Sequence, residues 1–134
     1  MKLKLQIVGN GKILFEMPLS LIDWPREQLE SELDSMEEDF EKFSRIFTAL
    51  SNETRLMMMK QLMEKEDRTV NFTEFMRSQN LNPKLVRDNT RKLSEGGLLE
   101  KTGRGRYRCS DFGESSFIIA GLALRRLIEA LDEM

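Results

Sequence analysis

The amino-acid sequence predicts a mostly α fold with a small β component, an α+β domain preceded by a β-hairpin. Three observations predict it. From Pro25 to Leu50 there is no glycine and no further proline, while Leu29, Leu33, Met36, Phe40, Phe43, Phe47 and Leu50 recur at alternating steps of four and three. That is the apolar seam of helices packed side by side. Met1 to Met17 instead alternates apolar and polar residues on either side of Gly9-Asn10-Gly11, the signature of two strands and a tight turn. Asn82 to Arg108, finally, opens on a helix start, stops at Gly96-Gly97 and continues as a short arginine-rich hairpin.

In the N-terminal hairpin Leu3, Leu5 and Ile7 alternate with Lys2, Lys4 and Gln6, and Ile13 and Phe15 repeat the pattern on the return strand. A two-stranded hairpin is marginal alone in water, so its apolar face calls for a partner surface. Pro18 and Pro25 bracket an apolar connector in which Trp24 is a packing anchor. The expected organisation is residues 1–22 as hairpin and connector, and residues 23–134 as the main domain. The helical seam that follows carries an acidic back. Between Asp23 and Lys42 nine acidic residues stand against two basic ones, a local charge of −7. Such a surface belongs away from a nucleic acid.

Ser51 and Asn52 cap a further helix running to about Lys65, with Leu56, Met59, Leu62 and Met63 as its inner stripe. Met57, Met58, Met59 and Met63 are core filler, because soft-metal sites need cysteine or histidine beside them. Thr69-Val70-Asn71 is a very short strand. Phe72 to about Ser78 is a short helix with Phe72, Phe75 and Met76 inward. Asn82 caps the next helix and Pro83 sits at its first position, where a missing N–H costs nothing. Lys84, Arg87, Asp88, Arg91 and Lys92 cover one broad polar face of that helix, and Val86 and Leu93 lie opposite. Leu98–Lys101 and Arg106–Cys109 read as strands joined by Thr102-Gly103-Arg104-Gly105. The two glycines are expected to supply positive φ, and Arg104, Arg106 and Arg108 to share one face. Two short helices, the second basic, followed by this hairpin make a winged helix-turn-helix. Asp111-Phe112-Gly113-Glu114 has the D-x-x-E form of a capped helix N-terminus and opens a last helix whose first half, Phe117 to Leu124, is apolar nearly all round and calls for cover by a second chain.

At 134 residues and a net charge of −2, the chain can bury one core. Asn82–Arg108 nevertheless carries eight positive and three negative side chains, +5 in all. The overall acidity therefore does not speak against nucleic acid. Cys109 is the only cysteine and there is no histidine. This excludes an internal disulfide, His-based acid–base or nucleophile pairs, and the usual zinc sites. No enzyme constellation, cofactor or metal is expected. No apolar run is long enough to span a bilayer, and a cytoplasmic protein is expected.

The stretch Ala49-Leu50-Ser51-Asn52-Glu53-Thr54-Arg55-Leu56, the KLSEGGLL segment ending at Leu99 and the Arg104–Arg108 wing resemble the ArsR-type winged-helix regulators. The resemblance covers roughly Phe43 to Leu131. It implies a homodimer joined through its long first and last helices, here through Phe40, Phe43, Phe117, Ile118, Ile119, Leu122 and Ile128. It also implies binding to double-stranded operator DNA, with Lys84, Leu85, Arg87, Asp88 and Arg91 in recognition-helix positions. Metal-sensing members carry a cysteine pair where this chain has Val70-Asn71-Phe72-Thr73, so a member without soft-metal sensing is implied.

The leading function is a sequence-specific, DNA-binding transcriptional regulator. Residues 83–95 would enter the major groove, and the wing at 98–109 would meet backbone or minor groove through Lys101, Arg104 and Arg106. The alternative is a winged-helix module that binds proteins through the same basic surface. A third reading, RNA binding, lacks an aromatic platform, Tyr107 being the only aromatic in the basic region. Cys109 reads as a small buried apolar residue in preference to a redox thiol.

Overall fold

The computed structural model describes residues 3–134. Met1 and Lys2, which the sequence places at the start of the hairpin, lie outside the described residues. The chain divides into two compact units, one reaching to Phe40 and one from Glu41 to Glu133.

In the first unit, strands β1 (Lys4–Gly9) and β2 (Lys12–Pro18) pair antiparallel. Asn10 and Gly11 both have positive φ, 52° and 76°, which is the type I′ turn that an Asn-Gly pair favours. A register shift between Ile7 and Val8 leaves one extra residue in β2. Leu5, Ile7, Val8, Ile13 and Leu14 are all exposed. Trp24 is half-buried, and its indole N–H donates to the Pro18 carbonyl at 3.0 Å, tying the connector to the end of β2. Helix α1 (Arg26–Glu38) buries only Leu29 among its residues.

The single helical seam expected from Pro25 to Leu50 is two helices, α1 and α2 (Phe40–Leu50), parted at Asp39. The apolar spacing runs across the break and conceals it. The charges account for only one side of the break: Glu41 lies in the first turn of α2, where the dipole favours an acid, whereas Glu37 and Glu38 fall at the negative end of α1, which is unfavourable.

In the second unit, α3 (Glu53–Met63), α4 (Phe72–Gln79) and α5 (Pro83–Glu95) pack around a core with a three-stranded sheet. The sheet order is β3 (Thr69–Asn71), β5 (Arg106–Cys109), β4 (Leu99–Gly103), so the last strand is central. Met58, Met59, Leu62, Val70, Phe75, Val86, Leu93, Leu98 and Cys109 are fully buried. Met58 and Met59 are thus core filler, as expected, and Met63 packs against the core, whereas Met57 is exposed. The inner stripe of α3 differs by one position, since Met58 is inside and Leu56 is exposed. Asn80, at φ 52°, ends α4 in the left-handed conformation, and Asn82 starts α5 two residues later. This is the tight turn between the two helices of the motif.

The last helical stretch runs as α6 (Asp111–Phe117), a π-helical segment Ile118–Ala123 and α7 (Leu124–Asp132). Its cap is Ser110, whose hydroxyl accepts from the Gly113 N–H at 2.8 Å, and not Asp111. Phe117 packs on the core of its own chain. Ile118, Ile119, Leu122, Leu124, Ile128 and Leu131 are exposed.

Candidate nucleic-acid interface

Helix α5 is built to present one face and hold the other. Asn82 Oδ1 accepts from the Leu85 N–H at 2.9 Å, fixing the first turn. Val86, Asn89, Thr90 and Leu93 are buried. At the far end Gly96 is the C-cap and Gly97 takes φ +78°. The Leu98 N–H then reaches the Leu93 carbonyl at 3.0 Å and the Gly97 N–H reaches Ser94 at 2.9 Å. These paired bonds satisfy the orphan carbonyls and send the chain directly into the wing.

The outward face of α5 holds Lys84, Leu85, Arg87 and Arg91, all exposed, with Asp88 half-buried beside them. Arg91 is not a free cation. Its guanidinium lies 3.9 Å from Asp88 and 3.7 Å from Glu95. Lys92 is half-buried and faces α2, lining a shallow groove of about 100 Å³ with Ser44, Arg45, Thr48 and Glu95. The polar face read from the spacing therefore splits, with Lys84 and Arg87 as its unencumbered cations.

The wing departs from expectation in two respects. Strand β4 runs on to Gly103, which pairs with Arg106, so the turn is Arg104-Gly105 and only Gly105 has positive φ, +67°. Arg104 consequently sits at the tip instead of sharing a strand face with Arg106 and Arg108. Those two remain exposed while Tyr107 and Cys109 between and beside them are buried. The tip is anchored as well. The Phe72 N–H at the start of α4 donates to the Gly105 carbonyl at 2.8 Å, placing Arg104 beside that helix. Among the described residues Lys84, Arg87, Lys101, Arg104, Arg106 and Arg108 have no carboxylate within ion-pairing distance, whereas Lys4, Arg26, Arg45, Lys60, Lys65 and Arg68 all do. Lys12, Lys42 and Arg77 are unpaired elsewhere among the described residues, but most of the unpaired cations lie on α5 and the wing.

Three residues that pattern reading missed hold this surface in place. Arg55 is buried and donates three bonds: Nε to the Ala49 carbonyl at 2.9 Å, one terminal nitrogen to the Thr48 carbonyl at 2.8 Å, and the other to Asn89 Oδ1 at 2.9 Å. Burial pulls its pKa down, and the three acceptors satisfy its buried N–H donors. Asn89 in turn donates to the Leu85 carbonyl at 2.8 Å. The end of α2, the start of α3 and the first turn of α5 are thereby locked together. Ser110, besides capping α6, donates to the Gly97 carbonyl at 2.7 Å. The partners of Arg55 lie up to 34 residues away, beyond any local signal.

Cys109 is fully buried, and burial raises its thiol pKa, so it lacks the exposed thiolate a redox sensor requires. Among the described residues no group of three His, Cys, Asp or Glu side chains is placed to hold a metal ion. Among the same residues no helix is long and apolar enough to cross a membrane.

No protein-family model matches the chain, and no curated protein matches it. Among solved structures it is similar to the solution NMR structure of a homodimeric winged helix-turn-helix DNA-binding domain from Mycobacterium bovis, described as a possible ArsR-family transcriptional regulator. The two share 20% identity at a TM-score of 0.56, over 64% of this chain and 81% of that one. That likeness shows the fold, a winged helix-turn-helix.

Proposed function

We propose that this chain is a sequence-specific DNA-binding transcriptional regulator that acts as a homodimer in the cytoplasm, without catalytic chemistry or a bound metal. The observation that carries the reading is the concentration of unpaired cations on α5 and the wing, in a chain that is acidic elsewhere. A helix fits the major groove, where an arginine can pair with a guanine edge, and a cationic wing tip meets phosphates or the minor groove. The M. bovis domain of the same fold is described as DNA-binding and homodimeric, which supports both parts. Residues 1–22 are in this reading an appendage, and residues 23–134 the regulator proper.

The test is a selection of bound sequences from random duplex DNA, followed by affinities across a salt series. Arg87→Ala should cost roughly 1–3 kcal/mol on the selected site and relax preference at one base pair. Arg104→Ala should weaken all sequences alike and reduce the salt slope by about one. A wild-type protein with no sequence preference, and variants that bind duplex as it does, would leave the protein-binding module as the better reading.

For the dimer, the supporting observation is the exposed apolar set Ile118, Ile119, Leu122 and Ile128, with Phe40 and the half-buried Phe43 on the first helices as further candidates. Ile119 is 61% exposed in the single chain, so a charge there costs the monomer little. Ile119→Glu should therefore dissociate the dimer and leave the helical circular dichroism intact. Sedimentation of the wild type as a stable monomer at micromolar concentration rules the assembly out.

A further inference from the structure

We propose that Leu85 reads the C5-methyl group of a thymine in the major groove, an inference that rests on the DNA-binding reading of α5 above. Leu85 is 43% exposed, whereas Val86 and Leu93, the other large apolar side chains of α5, are fully buried. It is therefore the one large apolar group on the outward half of the helix, flanked by the unpaired cations Lys84 and Arg87.

An exposed leucine alone means little on a protein surface. What distinguishes this one is how firmly its backbone is held. Its N–H is fixed by Asn82 at 2.9 Å and its carbonyl by Asn89 at 2.8 Å. Asn89 is itself clamped by the buried guanidinium of Arg55 at 2.9 Å. With both backbone groups held, the direction of the Leu85 Cα–Cβ bond is fixed and only the side chain's own rotamers remain to be ordered on contact, which favours discrimination of one methyl group. In the major groove the only apolar feature of the base-pair edges is the thymine methyl, and an aliphatic side chain is its natural complement.

The test replaces each thymine of the selected duplex in turn by deoxyuridine, which removes the methyl group and leaves every hydrogen-bonding edge unchanged. The full chain and its Leu85→Ala variant are titrated against each duplex. The wild type is expected to lose about fourfold in affinity at one thymine per half-site, the value of one buried methyl group. Leu85→Ala is expected to bind the thymine and deoxyuridine duplexes alike at that position, with unchanged circular dichroism. The proposal is overturned if the wild type tolerates every replacement, or if Leu85→Ala retains the same sensitivity. Failure of the DNA-binding reading itself looks different, since no preferred duplex would then emerge from the selection.

Discussion

Gly113→Ala is expected to unfold the second unit or bring it close to unfolding. A Cβ at that position would lie 2.2 Å from the Leu98 carbonyl oxygen and 2.9 Å from its carbonyl carbon. Both sides of the contact are backbone, so no rotamer change relieves it and α6 must move off the turn that follows α5. That movement also strains the Ser110 links, namely its N–H to Leu98 at 3.0 Å and its hydroxyl to Gly97 and Gly113. The loss should exceed about 4 kcal/mol, a large part of the total stability of a small domain. Gly97→Ala is the natural comparison. At φ +78°, with only the Phe112 ring 3.8 Å away, it incurs backbone strain alone and should cost about 1–2 kcal/mol. Urea unfolding distinguishes the two, and equal midpoints for Gly113→Ala and wild type would disprove the close approach.

Arg55→Met should cost about 3–5 kcal/mol, because it leaves two backbone carbonyls and Asn89 Oδ1 without the charged donor that joins them. Methionine keeps the volume, so the effect reports the bonds and not a cavity. The Asn89 contact can be separated by a double-mutant cycle with Asn89→Ala. The two substitutions should be clearly less than additive if the pair acts as one unit. Strict additivity, or a loss below about 1 kcal/mol for Arg55→Met, would show that the network matters little. On the proposed DNA-binding function, the affinity of the folded variant for duplex should fall as well, since Asn89 also steadies the Leu85 carbonyl.

Residues that act through their immediate neighbours were legible in the sequence. Asn10-Gly11 as a turn, Asn82-Pro83 as a helix start, Gly96-Gly97 as a stop and the wing hairpin all follow from local backbone chemistry, and the structure holds each of them. The misreadings have a common cause, which is competition between local signals. Apolar spacing continues smoothly through Asp39, yet the helix breaks there, and Glu41 is an acid suited to the first turn of the next. Asp111 has the form of a cap, but Ser110 before it holds the position. Gly103 and Gly105 are chemically alike, and only the register of β4 on β5 determines which one forms the turn. The candidate site was legible as a set of residue types and only partly as a surface. That Arg91 is tethered, that Lys92 turns toward α2, and that Arg55 supports the whole depend on partners the local pattern does not contain.

The division of α5 into held and presented positions bears on how such a protein can change over evolutionary time. Val86, Asn89, Thr90 and Leu93 answer to the core and to Arg55, so a change at Asn89 or at Arg55 disturbs the hydrogen bond of the other. Lys84, Leu85 and Arg87 have no such obligations within the chain. If α5 reads DNA as proposed, substitutions at those three positions alter what the helix recognises while leaving the contacts that place it untouched. New binding preferences are then reachable by single substitutions, and the fold can be inherited while its target drifts.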